Sequence, residues 1–115
     1  MTNYTHGHEA EKIGAAYLKK QGYKILELNW RRPRAEIDIV AHAKRGPLTF
    51  VEVKYRESAA QGAGLDYITP RKLDQMQFAA ELWTSEHNYD GEYVLAALEL
   101  GGTDYQVTAF IPELT

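Results

Sequence analysis

Two short segments carry the residues of this chain that are best suited to chemistry. Glu36-Ile37-Asp38 is followed, after one turn, by Glu52-Val53-Lys54. Because successive side chains of a strand point to opposite faces, three carboxylates and a lysine could share one face of two neighbouring strands. Such a face could bind a divalent cation and hydrolyse phosphodiesters.

The connection between the two strands predicts their alignment. Lys44-Arg45-Gly46 is typical of a three-residue hairpin loop with its glycine in the left-handed conformation. In that register Asp38 lies opposite Glu52, and Glu36 lies opposite Lys54. Directly opposed Cβ atoms are roughly 4.5–5.5 Å apart. The opposed pair could therefore share one Mg²⁺ ion, which favours carboxylate oxygens and retains several waters.

Strict alternation has a second consequence, because it predicts that Ile37, Ile39 and Ala41 all lie on the face opposite to the carboxylates. The same pattern is also typical of the solvated face of an amphipathic hairpin. Glu36 and Lys54 would then form a cross-strand ion pair of little energetic value. Spacing alone leaves both interpretations open, since an acid-x-Lys step is common on strands.

Length and composition limit the class of protein. A chain of 115 residues with 44% apolar and 25% charged residues predicts one folded domain, residues 1–115. It has no cysteine, which excludes disulfides and thiolate metal sites. It also has no apolar run of membrane-spanning length and no signal-peptide pattern near its start, so we expect no membrane partner and a cytoplasmic location.

Charge is strongly segregated along the chain, although the net charge is only −3. Residues 31–72 contain nine Lys or Arg against five Asp or Glu, whereas residues 73–115 contain eight Asp or Glu and no Lys or Arg. The basic residues surround the candidate site, and a phosphate responds to the local field more than to the total charge. The acidic C-terminal segment could instead face solvent or a protein partner.

Hydrophobic periodicity predicts the order α-β-β-β-α-β-β. Thr69 and Pro70 are typical of a helix start, as N-cap and first helical residue. Residues 57–66 lack an apolar period and predict a flexible loop that could fold over the site. The remaining expected elements are a helix over 7–21, strands over 23–30, 35–42, 47–55, 93–100 and 104–111, and a second helix buried along Leu73, Met76, Ala80 and Trp83.

Cationic side chains flank the candidate site on three segments. Three arginines follow Trp30, one lies two residues beyond Lys54, and two cations occupy the first turn of the second helix, where a bound anion would offset the helix dipole. Each could simply be solvated. The set that we expect to contact nucleic acid consists of Arg31, Arg32, Arg34, Arg56, Arg71 and Lys72.

Seven segments in order resemble the YraN-type family of small predicted nucleases. That family lies in the PD-(D/E)xK restriction-endonuclease-like superfamily, which includes archaeal Holliday junction resolvases. The matching segments are Gly7-x-x-x-Glu11, Ala16-Tyr17-Leu18, Gly22-Tyr23-x-Ile25-Leu26, Asn29-Trp30-Arg31, Glu36-Ile37-Asp38-Ile39-Val40-Ala41, Phe50-Val51-Glu52-Val53-Lys54 and Thr69-Pro70-Arg71-Lys72.

The resemblance implies an α/β fold, a mixed central sheet flanked by helices. It implies that Glu11, Asp38 and Glu52 are metal ligands and that Lys54 assists attack on the phosphodiester, with Glu36 as an accessory residue. The implied cofactor is Mg²⁺, with Mn²⁺ as an alternative. These roles agree with the chemistry of the residues, because a bound cation polarises a phosphodiester and activates water.

The sequence therefore predicts a metal-dependent endonuclease acting on DNA, with branched structures as candidate substrates. Two alternatives remain open. One is a module of the same fold that binds nucleic acid without cutting it. The other is a protein-interaction subunit that uses its acidic C-terminal half. A homodimer is reasonable for a nuclease, because two sites could act on two strands.

Overall fold

A computed structural model describes residues 3–57 and 66–114, with side chains from Gly7 onward. Five strands form one sheet, and two helices complete the fold. The expected element order is confirmed, and the first helix begins four residues earlier than predicted. The elements are α1 (Asn3–Lys20), β1 (Tyr23–Arg32), β2 (Ala35–Ala43), β3 (Leu48–Arg56), α2 (Pro70–Glu86), β4 (Tyr93–Gly101) and β5 (Gln106–Ile111).

The sheet is mixed, and its strands lie in chain order from β1 to β5. Neighbouring strands are antiparallel except for β3 and β4, which are parallel. A parallel pair needs a long crossover connection, and α2 lies in that connection. The fold is thus the predicted α/β architecture of a mixed sheet with helices.

Each helix covers its own hydrophobic cluster. The cluster beneath α2 includes Trp30, Val40 and Phe50, and the cluster beneath α1 includes Leu18, Ile39 and Leu98. The central strands contribute to both clusters because their alternate side chains point to opposite faces. Positions buried on both faces explain why β4 reads as a nearly continuous apolar run.

Helix α1 approaches the sheet closely at Gly14. A Cβ atom placed on this glycine would lie 2.7 Å from Leu98 Cδ2 and 3.5 Å from Ile39 Cδ1. The missing side chain therefore lets the helix backbone settle against the strands. Glu11 lies one turn earlier on α1 and is 9% exposed. The close packing thus brings a buried carboxylate to the sheet surface.

The β2–β3 register matches the prediction, but the loop does not. Ile39 pairs with Val51, and His42 pairs with Leu48, which is the alignment that would place Asp38 opposite Glu52. The loop contains four residues, 44–47, and Gly46 does not adopt a positive φ. The left-handed Gly46 prediction was wrong, because the turn closes through a 3.3 Å bond from the Gly46 N–H to the Ala43 carbonyl.

Strand β2 does not alternate strictly, which corrects a second expectation. Ile37 packs beneath α2 together with Val40, whereas Ile39 and Ala41 pack beneath α1. The side-chain direction therefore shifts near Asp38. On the paired strand, Asn29 has a φ of 53°, so both strands leave ideal geometry at the same point.

The β1–β2 connection is a tight turn that the periodicity did not show. Strand β1 extends to Arg32 and β2 starts at Ala35, which leaves only Pro33 and Arg34 between them. Arg34 has a φ of 65°, an uncommon conformation for a residue other than glycine. Proline followed by a positive φ is the pattern of a type II turn.

Helix α2 begins where the sequence predicted. Thr69 is extended, and its Oγ1 accepts a 3.1 Å hydrogen bond from the Lys72 N–H. Pro70 occupies the first turn, where its missing N–H costs nothing. The predicted flexible loop over 57–66 falls largely on residues 58–65, outside the described residues. Within the described ranges, neither helix has the length and apolarity needed to cross a membrane.

The two glycines of α1 give opposite predictions for alanine substitution. Gly14→Ala should lower the free energy of unfolding by about 1–3 kcal/mol, because its methyl group would overlap Leu98. Gly7→Ala should raise it by roughly 0.5–1 kcal/mol, since nothing lies within 4 Å and alanine favours helix. Urea denaturation of both variants measures the difference. Equal effects would contradict the close approach of α1.

Candidate functional site

The strands β2 and β3 separate where the carboxylates begin. Their ladder ends at the pair Ile39 and Val51, one position before Asp38 and Glu52. Beyond that point the Asp38 side chain replaces the strand hydrogen bond, because its Oδ2 accepts a 2.8 Å bond from the Val53 N–H. The carboxylate is therefore held between the two strands rather than free in solvent.

Burial and neighbouring charge act together on Asp38. Desolvation, followed by the negative charge of Glu52, raises the pKa of Asp38 from 3.8 to about 8, although the Val53 N–H acts in the opposite direction. Glu11 and Glu36 raise it further. The site thus brings together carboxyl groups that disfavour one another's ionisation.

Glu52 has a cationic partner from α2. Lys72 Nζ lies 3.0 Å from Glu52 Oε2, and the two side chains are 27% and 17% exposed. The ion pair links β3 to the first turn of α2, which explains how a cation is tolerated near the positive end of that helix. Lys72, predicted as a nucleic-acid ligand, is thus next to a predicted metal ligand.

Glu11 contributes charge from α1 without completing a three-ligand site. Burial is the main factor that raises its pKa, while His8 and Arg31 act to lower it. Among the residues that the structure describes, no three His, Cys, Asp or Glu side chains lie together in a geometry that would hold a metal ion. Glu11 is therefore an electrostatic neighbour of Asp38 and Glu52 in this structure.

Lys54 lies two residues beyond Glu52 on the same strand, beside the ring of Tyr67. Its Nζ is 5.7 Å from the ring centroid, and the guanidinium carbon of Arg56 is 5.5 Å from the same centroid. In the described ranges, no carboxylate lies within ion-pair distance of the Lys54 ammonium. This differs from Lys72, whose charge is already paired.

Arg56 is engaged inside the protein. Its Nε donates a 3.0 Å hydrogen bond to Glu99 Oε2, and both side chains are 11% exposed. Thr108 Oγ1 donates to the other carboxylate oxygen at 2.9 Å. Sequence reasoning missed Glu99, although an acidic residue within the apolar run of β4 was a signal that it could be paired in the core.

A cleft of about 470 Å³ opens beside Glu52. It collects residues that are far apart in the sequence, from the β1–β2 turn, β3 and α2. Six of the eleven predicted site residues line it. The five that do not are Glu11, Asp38, Lys54, Arg56 and Arg71. The cleft is lined by Arg31, Arg32, Arg34, Ala35, Glu36, Glu52, Lys72, Gln75 and Met76.

The three arginines of this cleft differ in their engagement. Arg32 makes several hydrogen bonds to Glu86, the shortest from Nη2 at 2.8 Å. Arg31 lies 3.2 Å from Glu36 in an exposed ion pair. Within residues 3–57 and 66–114, no carboxylate lies within ion-pair distance of Arg34. Its guanidinium is the best placed of the three to meet an added anion.

The donor set fits a hard divalent cation. Asp38 and Glu52 offer carboxylate oxygens on adjacent strands, and Mg²⁺ is usually held by one or two carboxylates with waters and phosphate completing its shell. A second feature also fits, because the Tyr67 hydroxyl is buried near Glu52 and has no hydrogen-bond partner among the described residues. Both features are compatible with a hydrated cation at this point.

Comparison with known proteins gives one consistent family. A profile described as "Uncharacterised protein family UPF0102" matches residues 10–100. A UPF0102 protein of Trichlorobacter lovleyi is 44% identical over 85 residues, covering 74% of this chain and 67% of that protein. One of Cytophaga hutchinsonii is 32% identical over 107 residues, covering 93% and 94%. The match covers only 60% of a 45% identical relative in Deinococcus radiodurans.

The burial of Asp38 predicts pH-dependent stability of the metal-free protein. Its raised pKa means that the neutral form is favoured by folding, so this stabilisation is complete below about pH 4 and is lost as pH rises through about 8. Asp38→Asn stays neutral and can still accept the Val53 N–H bond. In EDTA at pH 8 the free energy of unfolding of Asp38→Asn should exceed that of wild type by on the order of 2 kcal/mol.

Thermal and urea unfolding between pH 4 and pH 8 measure this difference, with exposed Asp90→Asn as the matched control. The gap between Asp38→Asn and wild type should close near pH 4. A gap that does not change with pH would contradict the burial of a charged carboxylate.

Proposed function

This chain belongs to the uncharacterised protein family UPF0102, and we propose that it is a Mg²⁺-dependent nuclease that hydrolyses DNA phosphodiesters. The observation that carries the proposal is the position of Glu52. Its side chain lines the cleft that contains Arg31, Arg32 and Arg34, and it interacts with Asp38. It also lies two residues before Lys54, which has no carboxylate partner among the described residues. A metal ligand, a candidate catalytic cation and a polyanion-binding surface are thus contiguous.

Asp38 and Glu52 would hold the cation, Mg²⁺ or alternatively Mn²⁺. When bound, such a cation supplies an activated water and a counter-charge for the phosphodiester. The chain prepares for it by concentrating carboxylates that repel one another, and Glu11 strengthens the negative field from α1. Fixed dipoles add to the site, because the Val53 N–H orients one oxygen of Asp38 and leaves its other oxygen for the metal.

Lys54 would act on the reacting phosphate. Its ammonium has no carboxylate partner in the described part of the chain, so it is available to orient the attacking water or neutralise developing charge. Lys72 would have a different role. In this structure it neutralises Glu52 at 3.0 Å, and it would turn toward the phosphate backbone when Glu52 holds the cation. The two lysines would therefore act at successive stages.

The cleft would bind the DNA backbone through Arg34 and the released Lys72. Arg31 and Arg32 are held by Glu36 and Glu86, so they would contribute through the local field more than through direct contact. The resemblance to archaeal Holliday junction resolvases makes branched DNA the first substrate to test. The paired Arg56 would support the fold instead of touching phosphate.

A second candidate function is nucleic-acid binding without cleavage. Two observations favour it. Lys72 forms an ion pair with the Glu52 carboxylate, and the described residues form no three-ligand metal site. A protein of this kind would bind DNA equally well in EDTA and in Mg²⁺ and would leave it intact. The experiments below separate the two functions.

The first test is cleavage of labelled single-stranded, duplex, flap and four-way-junction DNA in Mg²⁺, Mn²⁺ or EDTA. Wild type should cut at least one of these substrates only with metal. Glu52→Gln and Lys54→Met should each lower the rate by about a hundredfold or more, because each removes charge stabilisation at the reacting centre.

The matched controls for this test are Glu81→Gln and Lys19→Met, which remove the same charges from exposed helix positions. Both should cut like wild type, and circular dichroism should show that all variants are folded. Activity in EDTA, or equal activity of Glu52→Gln and wild type, would sink the nuclease proposal. Binding without any cleavage by wild type would select the second candidate.

A separate test concerns the cleft. Arg34→Gly should weaken DNA binding about fivefold to tenfold at moderate salt and reduce the slope of log affinity against log salt by about one. It should not lower stability, because glycine adopts the positive φ of this turn more readily than arginine.

Fluorescence anisotropy in EDTA, over a series of salt concentrations, measures this effect on binding alone. The matched control is Arg45→Gly, which removes an exposed cation from the β2–β3 loop. If the control and Arg34→Gly weaken binding equally, the cleft is not the DNA-binding surface.

A further inference from the structure

We propose that the hydroxyl of Tyr67 donates a hydrogen bond to a water of hydration on the divalent cation held by Asp38 and Glu52. The inference rests on the proposed function, because it concerns the same metal site. It assigns a role to a residue outside the acidic and lysine motifs. Tyr67 lies two residues before Thr69, the N-cap of α2, and is carried to the site by the start of that helix.

Tyr67 carries a hydrogen-bond donor that lacks a partner among the described residues. The Tyr67 hydroxyl oxygen is buried, yet it has no hydrogen-bond partner among the described residues. Buried hydroxyl groups nearly always have a partner, because losing water without replacing its hydrogen bond costs free energy. The hydroxyl therefore needs an acceptor that residues 3–57 and 66–114 do not provide.

The Tyr67 hydroxyl has negatively charged surroundings. Burial comes first among the causes that raise the pKa of Tyr67, followed by the negative charges of Glu52 and Glu99, and Asp38 adds to them. The phenolic O–H has a hydrogen to donate. Glu52 is near enough to affect the hydroxyl electrostatically, but it does not accept a hydrogen bond from it. A water bound to a cation on Glu52 would occupy an intervening position.

Two cationic side chains lie beside the Tyr67 ring. Lys54 Nζ and the guanidinium carbon of Arg56 lie 5.7 Å and 5.5 Å from its centroid, within cation–π range. Arg56 is in turn held by Glu99 at 3.0 Å. The ring is thus held beside the candidate catalytic lysine. Hydrogen bonds from such neighbours orient metal-bound groups and raise metal affinity.

A purely structural tyrosine makes a different prediction. If the ring matters only as a platform for Lys54 and Arg56, then phenylalanine at this position would serve equally well. Tyr67→Phe removes the hydroxyl and retains the ring. Because the lost hydroxyl has no partner in the part of the chain that the structure describes, the variant should be more stable than wild type in EDTA, with a higher denaturation midpoint.

The test is Mn²⁺ binding, measured by isothermal titration calorimetry without nucleic acid. Tyr67→Phe should weaken Mn²⁺ affinity about tenfold, the effect expected from losing one hydrogen bond next to a metal shell. The matched control is Tyr89→Phe, whose hydroxyl donates to the Glu92 carbonyl at 2.7 Å. The control should lower stability slightly and leave Mn²⁺ affinity unchanged.

Each outcome decides between the proposals. Weaker Mn²⁺ binding by Tyr67→Phe, together with higher metal-free stability, supports the inference. If wild type binds Mn²⁺ and cuts DNA while Tyr67→Phe binds Mn²⁺ as tightly as wild type, the inference fails and the nuclease function stands. If wild type binds no Mn²⁺, the metal site fails, and the inference fails with it.

Discussion

The arrangement of the site depends on one hydrogen bond, from the Val53 N–H to the carboxylate of Asp38. Past Ile39 and Val51 the two central strands stop pairing, and this bond satisfies a backbone donor that the ladder leaves open. It also places a charged group between strands, where burial disfavours charge. The protein thus exchanges a regular sheet for a fixed carboxylate. Such a local cost is typical of positions that serve chemistry.

Neighbouring helices and strands supply the cationic partners of nearby carboxylates. Glu52 takes Lys72 from α2, and Glu99 takes Arg56 from β3. Glu11 reaches the same field because Gly14 lets α1 lie close to the sheet. Lys54 is left unpaired in the described part of the chain. The pairing is uneven, since Glu86 and Glu99 each have an arginine partner and Glu52 has Lys72, whereas no Lys or Arg among the described residues lies within ion-pair distance of Asp38.

Local signals explain what could be predicted from the sequence. Thr69 and Pro70 marked the start of α2 because capping depends on neighbouring residues alone. Apolar periodicity identified all seven elements and their order. The prediction of the face on which Ile37 lies was wrong. Side chains alternate between faces only in a regular strand, and β2 is irregular at the site. The left-handed conformation predicted for Gly46 was wrong because the loop has four residues, 44–47, and loops of this length are most often built around a type I turn.

Contacts across the fold were beyond such signals. The pairs of Lys72 with Glu52 and of Arg56 with Glu99 depend on the crossover that sets β4 beside β3, and sequence spacing does not encode it. Tyr67 was not recognised for the same reason, because its partners come from a strand that precedes it. The family resemblance implied the acidic ligands and Lys54, but it gave no information on which cationic side chains are already paired with carboxylates.

The division of the cations argues for one substrate-binding surface. The arginine cleft opens on one side of Glu52, and Lys54 with Tyr67 lies farther along the same strand. Under the proposed function, a DNA backbone lying in the cleft would be close to both Arg34 and Glu52, because both line it. The acidic C-terminal half supplies Glu86 and Glu99 to internal pairs. The acidic excess of this half would disfavour polyanion binding elsewhere on the surface, so under the proposed function charge segregation and the cleft favour the same binding surface.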